Sequence, residues 1–321
     1  MLPHAVEING NNRHLCKEAG FLCVKGNGQI LGRVPLDDLD MVLLCGHGTS
    51  LTANLLAAFA ERSVPVITCN AAMLPVSITL PLVGHHLQSK RMARQIEIGL
   101  PQKKRLWQAV VRAKIKMQAQ HLNLCGCEEV RLEKLARVVQ SGDAANCEGA
   151  AAAIYWKKCF GPEFRRDREL PGLNAMLNYV YTVLRAATAR AVILSGLHPA
   201  FGLFHKNSRN PMPLVDDLME PFRPAADMLV MDLCAAGKQE LDPKAKQYLV
   251  ALTNLDIGMD GEMSTVGQAL RGLAVSLAEV YEGTRKQLWL PCELLPVNFK
   301  QSEVDDAHLE QVQADVGTGD V

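Results

Sequence analysis

The sequence predicts an α+β protein, with a small N-terminal β-rich domain followed by a larger all-helical C-terminal domain. Three observations carry that expectation. Up to about residue 80 the apolar residues come in short runs broken by turn signals. From Leu87 onward they recur at the three- and four-residue spacing of helices. Beyond Lys300 the chain has no Lys, Arg or aromatic residue but carries Glu303, Asp305, Asp306, Glu310, Asp315 and Asp320. Segments of that composition cannot bury enough apolar surface to offset chain entropy. The expected division is therefore 1–84, 85–300 and an acidic, disordered tail over 301–321.

In the first part, Phe21-Leu22-Cys23-Val24, Gln29-Ile30-Leu31 and Met41-Val42-Leu43-Leu44 read as strands. Lys25-Gly26-Asn27-Gly28 separates the first two, and its Asn-Gly step is a hairpin signal because both residues tolerate positive φ. One helix interrupts the strands. Ser50 or Thr49 can cap it, Leu51, Leu55, Ala58 and Phe59 repeat at helical spacing, and Val64-Pro65-Val66-Ile67 resumes the strand pattern.

In the second part the clearest helix runs over about 174–194, with Leu177, Val180, Tyr181, Leu184, Ala187 and Ala191 on one stripe, and stops at Gly196. Another starts near Asp143 and ends before Gly161-Pro162. A third begins near Leu214 and must break or kink at Pro221 and Pro224, since proline lacks the amide donor and clashes with the preceding turn. A closing helical pattern covers about 265–290.

Composition excludes several classes. The start, Met1-Leu2-Pro3-His4 followed by Glu7 and Asn9, has neither the basic nor the apolar region of a secretory signal. The apolar stretch over 71–84 is too short to span a bilayer and is interrupted by Pro75, Ser77, Thr79 and Pro81. A soluble, cytoplasmic protein with no membrane partner is expected. The ten cysteines are scattered, and Cys125-Gly126-Cys127 lacks the spacing of a zinc knuckle, so reduced, mostly buried thiols are expected.

Lys and Arg total 34, as do Asp and Glu, so any anionic partner must be met by local clusters. Residues 90–116 hold Lys90, Arg91, Arg94, Lys103, Lys104, Arg105, Arg112, Lys114 and Lys116 against the single acid Glu97. A second cluster is Lys157, Lys158, Arg165, Arg166 and Arg168. Such runs are either solvated helix faces or phosphate-binding surfaces. Two of them flanking a carboxylate-bearing helix favour DNA.

Three segments hold the candidate chemistry: Asn146-Cys147-Glu148-Gly149-Ala150, Gly202-Leu203-Phe204-His205-Lys206-Asn207 and Asp216-Asp217-Leu218-Met219-Glu220-Pro221-Phe222-Arg223-Pro224. Singly each has a bland reading: Glu148 as an acid in a helix's first turn, His205 as a half-buried histidine, Glu220 with Asp216 or Asp217 as an acidic helix end. Together, two carboxylates and an imidazole suit Mg²⁺ or Mn²⁺, which can polarise a phosphodiester and activate a hydroxyl nucleophile. The small-residue run over 149–153 would admit a second helix or a DNA backbone.

In this order and spacing the sequence resembles the CRISPR-associated spacer-acquisition integrases, the first-numbered Cas proteins, in their type II form. Glu148 precedes an Ala-rich turn, Tyr155-Trp156 and Phe164-Arg165-Arg166. Leu173-Asn174-Ala175-Met176-Leu177-Asn178-Tyr179-Val180-Tyr181 is similar to the family's Asn-x-x-Leu-Asn-Tyr-x-Tyr helix. The run from Gly196 through Pro199 and Gly202 to His205 resembles its Gly-Leu-x-Pro-x-x-Gly-x-x-His turn. Asp217-Leu218-Met219-Glu220-Pro221-Phe222-Arg223 resembles its Asp-Leu-x-Glu-x-x-Arg segment, at whose Glu position many relatives have Asp.

The resemblance implies that Glu148, His205 and Glu220 are catalytic metal ligands for Mg²⁺ or Mn²⁺, with Asp217 supporting them and Asn178, Tyr181 and Arg223 organising the core. It implies an N-terminal dimerisation domain, a helical catalytic domain, and two homodimers bridged by the small second-numbered Cas protein. The expected reaction joins prespacer 3′-ends to a CRISPR repeat by transesterification. Lys90, Arg91, Arg94, Lys103, Lys104, Arg105, Arg165 and Arg166 are the expected contacts to double-stranded DNA. A DNA repair nuclease of the same fold and a non-catalytic DNA-binding scaffold are the alternatives.

Overall fold

A computed structural model of the chain describes residues 4–70, 75–167, 169–205 and 207–297. The expected acidic tail over 301–321 and Arg168 lie outside the described residues. The chain divides after Leu82 into two compact units.

The first unit holds two four-stranded sheets. One orders as β1 (His4–Ile8), β5 (Leu39–Leu44), β7 (Val66–Cys69) and β8 (Pro75–Thr79), with β5 parallel to β1 and β7 and only β8 antiparallel. The other orders as β4 (Gln29–Pro35), β3 (Phe21–Gly26), β2 (His14–Glu18) and the short β6 (Ser50–Leu51). Asn27 and Gly28, at φ 49° and 79°, make the turn between β3 and β4 as the Asn-Gly step predicts. The helix α1 (Ala53–Glu61) starts one turn later than its apolar pattern suggests. Its cap is Thr52, whose hydroxyl accepts the Leu55 N–H at 3.4 Å, not Ser50 or Thr49. Ser50 instead belongs to β6, pairing with His14. Leu15, Leu22, Leu36, Leu55 and Phe59 form the core of this unit.

The second unit is built on two long helices. α3 (Leu100–Leu124) opens with Pro101, whose missing amide costs nothing in a first turn, and buries Leu106, Trp107, Val110, Val111, Ile115 and Leu122. α6 (Leu173–Leu194) buries the stripe Leu177, Val180, Tyr181, Leu184 and Ala191, and ends against Gly196 at φ 68°. Around them lie α2 (Gln88–Glu97), α4 (Val130–Val138), α5 (Cys147–Phe160), α7 (Pro213–Met219), α8 (Arg223–Ala235), α9 (Pro243–Val250) and α10 (Val266–Glu282). The break expected at Pro221 and Pro224 is a single 3₁₀ turn, Glu220–Phe222, between α7 and α8.

This unit is not all-helical. β9 (Asp256–Met259), β10 (Glu262–Thr265) and β11 (Pro291–Leu294) form an antiparallel sheet ordered β10-β9-β11. The physical cause is a second two-residue turn signal, Asp260-Gly261, with Gly261 at φ 83°. The closing helix accordingly ends at Glu282, capped by Gly283 at φ 79°, and the chain returns as a strand. Among the described residues no helix is long and apolar enough to cross a membrane.

Candidate active site

Four segments of the helical unit meet around one buried ammonium. Glu148 is the second residue of α5, and the turn before it is unusual. Gly142, Asp143 and Asn146 all have left-handed backbone, at φ 72°, 52° and 51°. That path lets the buried Asp143 carboxylate accept the N–H groups of Cys147 at 2.8 Å and Glu148 at 3.0 Å, while Asn146 Oδ1 accepts that of Gly149 at 3.3 Å. Three otherwise orphaned amides of the helix start are satisfied, which fixes where the Glu148 side chain leaves the helix.

Glu220 sits in the 3₁₀ turn between α7 and α8, and its side chain is only 5% exposed. Facing both acids is Lys114 of α3. Its Nζ lies 2.6 Å from Glu148 Oε1 and 2.5 Å from Glu220 Oε2. Arg223 Nε stands 3.0 Å from Glu220 Oε1. The contacts at Glu220 are charge contacts set off the hydrogen-bonding direction, so Glu220 Oε2 is buried without a well-aligned donor. Burial pushes the Glu220 carboxyl up, but Arg223 and Lys114 outweigh it, and the net displacement is downward. Burial likewise works against the charge on Lys114, and the two glutamates outweigh it, so the ammonium is held above its ordinary range.

His205 enters from the loop after α6. Its Nδ1 is 2.5 Å from Asp217 Oδ1, and this hydrogen bond, more than burial opposes it, raises the imidazole above its usual pKa. Asp217 is fully buried and also accepts backbone N–H groups from Leu203 at 2.6 Å, Phe204 at 3.0 Å and His205 at 3.3 Å. The loop wraps the carboxylate so tightly that a Cβ on Gly202 would stand 2.9 Å from Asp217 Oδ2 and 3.0 Å from Pro213. Carboxylate-to-Nδ1 bonding sets the ring's tautomer and orientation and leaves Nε2 as the nitrogen for other work. Trp107 of α3 backs the loop, stacked on Phe204 at 4.7 Å and edge-on to His205 at 5.5 Å.

Beneath the site runs a second polar chain. Tyr155 and Tyr181 donate to the two oxygens of the buried Asp227 at 2.9 and 2.5 Å, and Tyr155 Oη is 2.6 Å from His121 Nδ1. Arg223 lies over the Tyr181 ring at 4.7 Å, which joins this chain to Glu220. Burial raises Asp227 to about 6 and lowers His121 to about 4.

The residues expected to hold DNA are placed in two ways. Lys90, Arg94, Lys104, Arg105 and Arg165 are exposed, and Lys103 is half-buried. Arg91 and Arg166 turn inward. Arg91 bonds Glu282 at 3.1 Å and the Ser195 carbonyl at 3.0 Å, because α2 packs on α10 through that residue. Arg166 donates to Asn174 and Asn178 at 2.9 and 2.6 Å and clamps the start of α6. Lys114 was counted among the cations of a basic run, yet it belongs to the acids. The signal was present: it stands seven, four and three residues after Trp107, Val110 and Val111, on the buried stripe of α3. None of the ten cysteines is in a disulfide; five are buried, while Cys125 and Cys292 are exposed.

The donor set suits a hard divalent ion. Two carboxylates converge on one cation, one of them with a buried oxygen that has no well-aligned donor, beside an imidazole whose Nδ1 is committed. Among the described residues, no three His, Cys, Asp or Glu side chains already stand as a closed ligand shell. The position between the two carboxylates belongs to Lys114.

Residues 6–252 match the sequence profile of the family described as CRISPR associated protein Cas1. The chain is 40% identical over 298 residues, 91% of its length, to the CRISPR-associated endonuclease Cas1 of Neisseria meningitidis serogroup C (strain 8013), covering 97% of that protein. In three dimensions it resembles a casposase bound to integration product, with TM-score 0.75 at 18% identity over 97% of this chain and 99% of that one. It also resembles a chain of a Cas6-RT-Cas1–Cas2 complex, with TM-score 0.68 at 17% identity over 90% of this chain and 36% of that one.

Proposed function

The chain belongs to the Cas1 family of CRISPR-associated proteins, and on that premise we propose that it is a metal-dependent DNA integrase of CRISPR adaptation with nuclease activity. The observation that carries the reading is the convergence of Glu148 and Glu220 on a single cation beside an Asp217-oriented His205. Glu148, His205 and Glu220 would hold Mg²⁺ or Mn²⁺, which when bound supplies charge stabilisation to a phosphodiester under attack and lowers the pKa of a coordinated hydroxyl.

The chain's own residues set the geometry for that step. Asp143 fixes the first turn of α5 and so the reach of Glu148. Asp217 engages Nδ1 of His205, which leaves Nε2 as the nitrogen that would ligate the ion. Arg223 neutralises the oxygen of Glu220 that points away from Lys114. A prespacer 3′-hydroxyl is the proposed nucleophile at the repeat, and water in its place gives hydrolysis. The half-buried Lys103 and the exposed Lys104 and Arg105 lie about 15 Å upstream of Lys114 along α3, a distance within the span of a few phosphates of one duplex.

The homodimer through residues 1–84, the bridging Cas2 partner and the cytoplasmic setting are part of the same proposal. The structurally similar Cas6-RT-Cas1–Cas2 assembly supports the partner, and the casposase bound to its integration product supports the chemistry.

The test incubates purified protein with prespacer duplex, a supercoiled repeat-bearing plasmid and the small partner, in Mn²⁺ or in EDTA. Metal-dependent joined products from the wild type, absent from Glu148→Ala, His205→Ala and Glu220→Ala, are expected. Cutting without joining moves the assignment to a repair nuclease. No reaction with DNA binding intact leaves a scaffold.

A further inference from the structure

We propose that Lys114 is a resident counter-cation that exchanges with the divalent ion, so that metal loading expels its ammonium from between Glu148 and Glu220. The inference rests on the metal-site reading above and concerns what this chain does when the metal arrives.

The argument begins with distances. Nζ is 2.6 Å from Glu148 Oε1 and 2.5 Å from Glu220 Oε2. A Mg²⁺ or Mn²⁺ ion bound to those same oxygens would sit about 2.1 Å from each. Because the ammonium already stands 2.6 and 2.5 Å from these two oxygens, an ion that close to both lies within about 5 Å of the present Nζ position, where two poorly screened cations repel strongly. The two cations therefore compete for one pair of carboxylates.

Residue chemistry points the same way. Arg223 also pairs with Glu220, but its guanidinium is a planar fork packed over Tyr181. Lys114 carries a compact charge on a four-carbon stem and can withdraw without moving the helix that bears it. Its side chain is 10% exposed, so the withdrawn ammonium can reach water or a substrate phosphate rather than remain buried alone. Position explains why the metal-free site does not open. Two carboxylates facing each other at short range, one 95% shielded from solvent, would repel, and Lys114 neutralises that repulsion. Exchange has a thermodynamic cost for the metal, because every binding event must break two charge-assisted contacts.

The test compares Mn²⁺ affinity, by the electron paramagnetic resonance of the free ion, in wild type, Lys114→Met, Lys114→Arg and Glu148→Gln, with thermal melting in EDTA alongside. Exchange predicts that Lys114→Met binds Mn²⁺ at least about tenfold more tightly, the effect of removing one competing charge at short range. It also predicts a lower melting point for that variant in EDTA, recovered by Mn²⁺. Lys114→Arg keeps the competing charge and should bind no more tightly than wild type. Equal or weaker Mn²⁺ binding by Lys114→Met overturns the exchange while leaving the metal site standing, provided that Glu148→Gln loses binding. Absence of Mn²⁺ binding from every protein overturns both.

A second measurement needs no substitution. Acetylation of the wild type with an N-hydroxysuccinimide ester, read by mass spectrometry, should increase at Lys114 when Mg²⁺ is added, because the ammonium leaves the carboxylates. Unchanged or reduced labelling at that residue overturns the proposal.

Discussion

Asp217 and the pair Glu148–Glu220 are carboxylates of one site held in opposite ways. Asp217 is bound by three backbone N–H groups and one imidazole. Backbone donors in a tight loop cannot leave, so this acid is committed to shape. Glu148 and Glu220 are held by side-chain cations, Lys114 and Arg223, and no backbone amide is bonded to either carboxylate among the contacts of the site. Charges held by mobile charges can be traded for another ion. The difference teaches that a functional acid is recognised less by burial than by whether its partners are replaceable.

The comparison breaks most visibly at Asp217. Asp217→Ala strands three amides and the His205 ring in a buried pocket, and should cost about 3–5 kcal/mol of folding stability in denaturant titrations. A loss under about 1 kcal/mol would show that the loop holds itself.

The polar chain beneath the site sharpens the contrast through pH. His121 is depressed to about 4 by burial, so the unfolded chain binds a proton near 6.5 that the folded chain refuses. Stability from this group is therefore present above pH 6.5 and is lost as pH falls toward 4, by about 3 kcal/mol in full. Asp227, raised to about 6 by burial, works the other way: the folded chain takes up its proton first, so stability is gained as pH falls from 6 toward 4. The two contributions nearly cancel in the wild type, so across pH 4–7 stability should rise toward acid relative to the wild type in His121→Gln and fall more steeply on the acid side in Asp227→Asn. Parallel curves for wild type and both variants would contradict this.

Gly202→Ala should cost about 1–3 kcal/mol, since the added methyl meets Asp217 Oδ2 and the Pro213 ring, neither of which can retreat. A melting point equal to wild type would mean that the loop relaxes freely. The smallest effect on stability belongs to Glu148→Gln. Its side chain is 20% exposed and Lys114 keeps Glu220 as a partner, so the change should stay within about 1 kcal/mol while metal-dependent strand transfer is abolished. Stability loss comparable to that of Asp217→Ala would erase the distinction drawn here.

Much of this was legible in the sequence, for identifiable reasons. Asn27-Gly28 specifies a hairpin by backbone chemistry alone, and Pro221 and Pro224 specify a break, whatever surrounds them. The stripe of α6 reads clearly because both its period and its length exceed what a strand could carry. Strands β1 and β2 were missed because their apolar residues are few and flanked by charge, as in His14-Leu15-Cys16-Lys17-Glu18, where only pairing with β3 makes a strand. The C-terminal sheet was masked by neighbouring helical periodicity despite its Asp260-Gly261 turn. Within the site, Glu148, Glu220 and His205 each have a bland reading singly, and it is the resemblance of their segments to the family's motifs that singles them out. Lys114 and Asp143 are not singled out, because a lysine among lysines and an acid ahead of a helix look like solvated surface until three dimensions show what they face.

Gln120 of α3 donates to the carbonyl of Cys292 at 2.7 Å and accepts the N–H of Leu294 at 2.6 Å, stapling β11 to the helix that carries Lys114. The staple joins residues 174 apart in the chain, so during synthesis it cannot close until residue 294 has left the ribosome. A nascent chain stopped near residue 285 would hold every proposed ligand of the site and still leave one edge of α3 unclamped. Pulse proteolysis of released chains ending at 285 and 297 reads the dependence directly: protection of α3 only in the longer one would mean that the site is assembled, but not locked, until β11 arrives.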